Sequence, residues 1–300
     1  MKYSDYFCLS LKKMGYTHCF LLQGGSIMHL VNSASKYFKV IPFLHEHCAT
    51  IAAEYFNKAN NDKKSRAWVL VASGPGLTNS VSAITGAYLE SRELLIVGGQ
   101  SKTSDLRLHK KNKIRQTGIQ QNDGVSIVKK ITKYSKTLFT TEGFDKIFEY
   151  SSLSKAERKG PVFLEIPIDI QAKEINKKII YRSKKNKKKE FVISKKIKRK
   201  LIRLLENSNK ISLLLGSGIS KKFFLKSKHL ITKTNYALFT TWNAADLLAE
   251  NMKNNFGRPN TWGQRYSNIL IQNSDLLICI GTSLGIQQTG FNYKSFVKNG

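Results

Sequence analysis

Apolar side chains recur at helical spacing near the start of the chain, at Tyr6, Phe7, Leu9, Leu11 and Met14, and Gly15 ends the run. A short β-like stretch over 17–22 follows and breaks at Gly24-Gly25, after which Met28, Leu30 and Val31 predict a helix. Residues 40–44 predict a second strand. Cys48, Ala49, Ile51, Ala52, Tyr55 and Phe56 then stripe a helix. Residues 68–72 are wholly apolar, the pattern of a strand buried on both faces of a parallel sheet. A helix over 78–90 and a strand over 94–98 continue the alternation, which predicts α/β architecture with helices covering a parallel sheet.

The stretch 160–167 reads as the last strand of this unit, stopped by Pro167. A basic, poorly apolar segment from about residue 171 to 200 behaves as a linker. A second unit opens with a helix over 198–205 and a strand over 211–215 that runs into Gly216-Ser217-Gly218. Strands over 238–241 and 276–281 follow, and the sequence stops at Gly300 where a parallel sheet would be expected to add another strand. The expected division is a domain at 1–172, a basic linker at 173–197 and a second domain at 198–300 that is truncated.

Composition changes this picture only in part. Three hundred residues with 41% hydrophobic content suffice for two cores. Fifty basic against 20 acidic residues give a net charge of +30, which raises a nucleic-acid partner. The lysines are spread along the chain, however, and the densest runs, 184–189 and 195–200, have no interleaved aromatics on which bases could stack. The pattern argues for a lysine-rich solvated surface rather than a nucleic-acid binder. Cys8, Cys19, Cys48 and Cys279 form no CxxC pair and are expected to be small buried apolar residues. Neither a signal-peptide core nor a membrane span is apparent, so the cytoplasm is the expected compartment and no membrane partner is expected.

Candidate chemistry centres on His45-Glu46-His47, which closes an apolar extended run and opens an alanine-rich helix. Burial at a strand end raises a carboxyl pKa and a helix N-terminus lowers it, so Glu46 is suited to exchanging a proton with a ring nitrogen. The tripeptide alone leaves open the plainer role of a helix cap. His45 and His47 have H-x-H spacing, but nothing nearby completes a shell, and no metal site is expected. The turn Ser73-Gly74-Pro75-Gly76-Leu77-Thr78-Asn79 reverses sharply from strand to helix and would let a ligand approach the main chain, with Thr78 or Asn79 capping the helix. An ordinary strand-to-helix loop is the alternative. Gly216-Ser217-Gly218 lacks a third glycine and reads best as a tight turn.

Taken in order, these segments resemble the thiamine-diphosphate-dependent enzymes of the acetolactate synthase type. The resemblance rests on Gly24-Gly25, Leu44-His45-Glu46-His47, Ala53-Glu54-Tyr55, the turn at 73–79, Gly99-Gln100, Gly118-Ile119-Gln120-Gln121, Ile131-Thr132-Lys133-Tyr134 and the run 160–170. In the second unit it rests on the segments 241–246, 256–259, 263–265, 273–277 and 288–294. The set looks closest to a branch associated with surface-polysaccharide sugar synthesis.

The resemblance implies a pyrimidine-binding domain followed by an incomplete central domain of modified Rossmann type. It implies that Glu46 is the catalytic acid, bonded to a nitrogen of the aminopyrimidine ring. Gly24, Gly25, Pro75 and Asn79 would line the pyrimidine pocket, and Gln120 would face the substrate. The implied reaction decarboxylates a 2-keto acid and joins the remainder to a second carbonyl, with the cofactor carrying the hard chemistry. Departures bear on substrate choice: Gln121 stands where the family usually has an acid, and Arg92-Glu93, Gln23 and Lys130 replace commoner residues. The family's Gly-Asp-Gly motif, which holds magnesium and the diphosphate, is not found, so the chain is expected to bind only the pyrimidine half of thiamine diphosphate. Magnesium is then expected on a diphosphate-binding domain supplied from elsewhere, through a homodimer of longer chains or a hetero-oligomer, and flavin (FAD) on the central domain is left open. The rival expectation is a non-catalytic remnant or regulatory partner of a full-length relative.

Overall fold

A computed structural model describes residues 1–60, 65–112, 114–176 and 193–298. The chain divides into two compact units, Met1–Lys185 and Asn186–Gly300. The lysine run at 184–189 and most of the expected linker lie outside the described residues.

In chain order the first unit contains α1 (Tyr3–Lys13), β1 (His18–Leu21), α2 (Met28–Tyr37), β2 (Lys39–Pro42), α3 (Glu46–Ala59), β3 (Ala67–Val71) and α4 (Pro75–Leu89). It continues with β4 (Leu94–Gln100), α5 (Thr103–Asn112), α6 (Gly124–Val128), β5 (Tyr134–Thr137), α7 (Phe144–Ser152), β6 (Pro161–Pro167) and α8 (Ile168–Ala172). Six parallel strands form one sheet in the order β2-β1-β3-β4-β6-β5. β3, β4 and β6 are buried along their whole length, as apolar runs in a sheet covered on both faces must be. One face packs on Tyr3, Phe7, Leu11 and Leu30 of α1 and α2 with Ile147 of α7. The other packs on Ala49 and Ala53 of α3, Leu77, Ile84 and Ala87 of α4, and Val128 of α6.

The second unit contains α9 (Lys195–Glu206), β7 (Ile211–Leu215), α10 (Lys221–Lys233), β8 (Ala237–Thr240), α11 (Arg265–Gln272) and β9 (Leu276–Ile280). Its three parallel strands run in the order β8-β7-β9. Leu213, Leu215, Phe224 and Leu238 form a core on one side, and Leu214, Phe239, Ile271 and Val297 on the other.

One strand goes unannounced in the sequence, and two expectations need correction. The run 160–167 is the last strand in sequence, as expected, and β6 lies inside the sheet. The edge place beyond it belongs to β5, whose Tyr-Ser-Lys-Thr sequence has no apolar run to announce it. Only Cys8 and Cys19 are buried, because Cys48 falls on the outer face of α3 and Cys279 on the half-exposed β9. The helix after the glycine turn begins at Pro75, so Thr78 and Asn79 lie inside it and cap nothing; proline suits a first helical position because its missing N–H has no intrahelical partner there.

Candidate active site at the carboxyl ends of β1 and β3

The parallel sheet brings the loops that follow β1, β2, β3 and β4 to one end, where ligands of open α/β sheets bind. The loop after β2 delivers Glu46. His45 is extended (φ −153°) and caps α3, its Nδ1 accepting from His47 N at 3.2 Å. That leaves the Glu46 carboxyl free of the capping role, and it is only 6% exposed. Its Oε2 accepts from Asn79 Nδ2 of α4 at 3.0 Å. One turn further, Thr50 Oγ1 donates to Ser80 Oγ at 3.1 Å, holding α3 to α4.

The turn after β3 fits around this carboxyl. Gly74 has φ +62°, and a Cβ there would meet the carbonyl oxygen of Gln120, so both conformation and space call for glycine. A Cβ at Gly76 would stand 3.3 Å from Glu46 Oε1 and 3.1 Å from Ala72 Cβ. Gly24 abuts the same Ala72, its Cβ position lying 2.6 Å from that methyl. Gly25 borders open space. Pro75 opens α4 directly beside these residues.

Gln120 approaches from the loop after α5. It has φ +53°, its side chain is exposed, and its carbonyl oxygen and Cβ fill the place that a Cβ on Gly74 would take. Its neighbour Gln121 is buried, with Oε1 accepting from Gly118 N at 2.8 Å and Thr117 N at 3.2 Å. Leu44 and Ile119 on these loops are 99% and 86% exposed.

Several polar residues of the site were missed in the sequence. Ser26 Oγ accepts from Ser73 N at 2.9 Å, while Ser26 O accepts from Gln171 Nε2 at 2.8 Å and presses on Gly99. Ser73 Oγ, Asn122 Oδ1 and Gln171 Oε1 are buried and have no partner among the described residues. Such groups cost about 1–3 kcal/mol each unless a ligand or water completes them. A buried carboxyl, a directed amide, a glycine-lined bend and unpartnered polar atoms fit the polar edge of a flat heterocycle. No group of three His, Cys, Asp or Glu side chains among the described residues could hold a metal ion, and no helix there is long and apolar enough to cross a membrane.

Comparison with known proteins agrees with this geometry. Residues 1–127 match the thiamine pyrophosphate enzyme N-terminal TPP-binding domain, and residues 199–300 match the thiamine pyrophosphate enzyme central domain. The acetolactate synthase large subunit of Lactococcus lactis is 31% identical over 169 residues, which cover 55% of this chain and 28% of that protein. The acetolactate synthase large subunit of Buchnera aphidicola (subsp. Schizaphis graminum) is 25% identical over 309 residues, covering 97% of this chain and 50% of its own length. Acetolactate synthase 2, chloroplastic, of Nicotiana tabacum is 24% identical over 299 residues, covering 96% and 43% respectively. The chain thus spans half or less of each of these relatives. With both domain matches in chain order, on two parallel-sheet units, the protein belongs to the thiamine pyrophosphate enzyme family.

Proposed function

We propose that the chain supplies the pyrimidine-binding half of a thiamine-diphosphate-dependent carboligase acting on 2-keto acids, a reading supported by its likeness to acetolactate synthases. The observation that carries the reading is the buried Glu46 carboxyl, bonded to Asn79 Nδ2 at 3.0 Å and set against Gly76. Bound thiamine diphosphate supplies the carbanion chemistry that decarboxylates the keto acid and forms the new carbon–carbon bond.

The chain's own residues then have distinct tasks. Glu46 holds a proton at a nitrogen of the pyrimidine ring, and burial strengthens that bond by excluding water. Asn79 keeps the carboxyl oriented, using one of its two amide hydrogens. Gly24, Gly25, Gly74 and Pro75 shape the bend on which the ring lies, and the unpartnered Ser73 hydroxyl offers a further polar contact. Gln120 borders the substrate side. The proposed pyrimidine-binding unit is 1–172. The diphosphate and magnesium would be held by a further domain, in a longer chain or in a partner subunit, so that the working site forms in a dimer or hetero-oligomer. Supply to branched-chain amino acids or to surface-polysaccharide sugars are both within this reading.

The test is Glu46→Gln in enzyme complemented with a diphosphate-binding domain, magnesium and thiamine diphosphate, assayed on pyruvate. Turnover should fall by about a hundredfold or more, the scale of lost acid–base catalysis. Unchanged turnover would remove Glu46 from the mechanism.

A further inference from the structure

Glu165 is outside the chemistry read from the sequence, and its surroundings are unusual for a carboxyl. It lies within the fully buried β6, only 4% exposed, on the same side of the strand as Phe163. Each of its oxygens has its own partner. Thr137 Oγ1 on β5 donates to Oε2 at 2.7 Å, and Gln100 Nε2 at the end of β4 donates to Oε1 at 3.0 Å. Gln100 Nε2 also donates to Asn122 O at 2.9 Å, while Gln100 Oε1 accepts from Ser101 N at 2.9 Å. Both Gln100 amide hydrogens are therefore used, and its carbonyl oxygen has a partner as well. The fit is close on the α6 side as well, since a Cβ at Gly124 would come within 2.7 Å of Glu165 Oε1. Asp123, the cap of α6, is the other acid acting on this group.

The loop at the far end of this chain of bonds carries Gln120. A non-glycine residue at φ +53° persists only where its surroundings over-determine it. Three anchors do so: Gln121 Oε1 gathers the 117 and 118 amides, Ser101 Oγ donates to Ile119 O at 3.3 Å, and Gln100 holds Asn122 O. The last two spring from the end of β4. Glu165 sets the outer end of the Gln100 amide, because an accepting carboxyl oxygen there requires Nε2 rather than Oε1 to face it.

We infer that Glu165 is a positioning residue: through Gln100 it holds the 117–123 loop, and with it Gln120, against the Gly74 turn. The inference rests on the proposed carboligase only for its consequence in catalysis; the hydrogen-bond chain exists without the cofactor, and its test needs none. Burial pushes the Glu165 carboxyl up to about 7, while the bonds from Thr137 and Gln100 pull it back and Asp123 raises it further. A neutral amide at 165 could keep the same pattern, accepting from Gln100 and donating to Thr137.

Amide hydrogen exchange on the full chain tests this segment by segment. In Glu165→Ala and in Gln100→Ala, protection over 118–123 should fall about tenfold, the loss expected for one hydrogen bond, while β3 amides at 68–71 keep theirs. Glu165→Gln should retain the loop's protection. Three results overturn the inference: an unaltered loop in either alanine variant, a fall shared equally by β3, or Glu165→Gln as loose as Glu165→Ala. Failure of the Glu46 assay would leave this result standing, and the reverse also holds.

Discussion

Both units place a glycine-rich turn at the carboxyl end of a buried parallel strand, yet they use those glycines differently. After β3, Gly76 sits against the buried Glu46 carboxyl while Gly74 packs on Gln120, and Ser73 Oγ next to them has no partner among the described residues. After β7, Gly216 and Gly218 pack on the backbone of Gly281, which follows β9 at φ +68°. Their N–H groups are already spent, Gly216 N on Ile280 O at 2.8 Å and Gly218 N on Gly281 O at 2.9 Å. A phosphate site at a turn needs such N–H groups free. Among the described residues, the first unit buries Glu46, Glu54 and Glu165, whereas every buried polar side chain of the second unit is uncharged. Glycines mark close backbone approach in both places. What sets the first turn apart is the buried acid beside it.

The widest separation between the units should appear in their response to pH. Glu165 is raised from 4.5 to about 7, so its native form holds the proton more tightly than the unfolded chain does. Its stabilisation is complete below pH 4.5 and is lost as pH rises through 7, a change of about 3 kcal/mol. Burial raises Glu54 and Glu93 in the same direction, so the diagnostic is the difference between wild type and Glu165→Gln. Exchange of β6 amides from about pH 4 to 8 should show that difference, and β7 amides should not. Equal behaviour of the two strands would break the comparison.

Matched substitutions sharpen it next. In the complemented enzyme Glu46→Gln is expected to cost about 2.7 kcal/mol of transition-state stabilisation, the hundredfold loss above. Ser217→Ala, at the glycine turn of the second unit, should stay within about threefold of wild type, as expected for a surface turn without a ligand role. A large loss at Ser217 would show that the second turn also touches a ligand. Gly216→Ala forces a methyl into the Gly281 backbone and should destabilise the second unit by about 2 kcal/mol, read from exchange of β7 and β8. Free tolerance would mean that this packing is not what the glycine serves.

The smallest effect on stability is expected at Gly25, where an added methyl meets nothing within 4 Å. Gly25→Ala should keep unfolding within about 0.5 kcal/mol of wild type. Thiamine diphosphate affinity of the complemented enzyme should nevertheless fall, because the open space beside Gly25 is where the proposed ring lies. Unaltered affinity would remove Gly25 from the pocket.

Much of the first unit was readable because parallel strands buried on both faces are continuous apolar runs, as at 67–71 and 94–97. Glu46 by itself could as well have been a helix cap, and it was the resemblance of the ordered motifs around it that singled it out. β5 did not stand out, since an edge strand takes its stability from one neighbour and tolerates Ser, Lys and Thr. Glu165 did carry a signal: a carboxyl inside the apolar run 161–167 must be paired if that run is buried. What no local pattern could disclose was its partner, since Gln100 lies 65 residues away and meets it only through the β4–β6 register.

Sequence by itself determined the α/β alternation, the two units, the acid at 46 and the glycine bend at 74–76, because each is written in neighbouring residues through spacing, propensity and allowed backbone angles. Tertiary structure decided that Asn79 faces Glu46 instead of capping a helix, that Gln120 packs on Gly74, and that Glu165 reaches the loop through Gln100. Those contacts join residues 22 to 65 positions apart, and strand order and register set the distance between them.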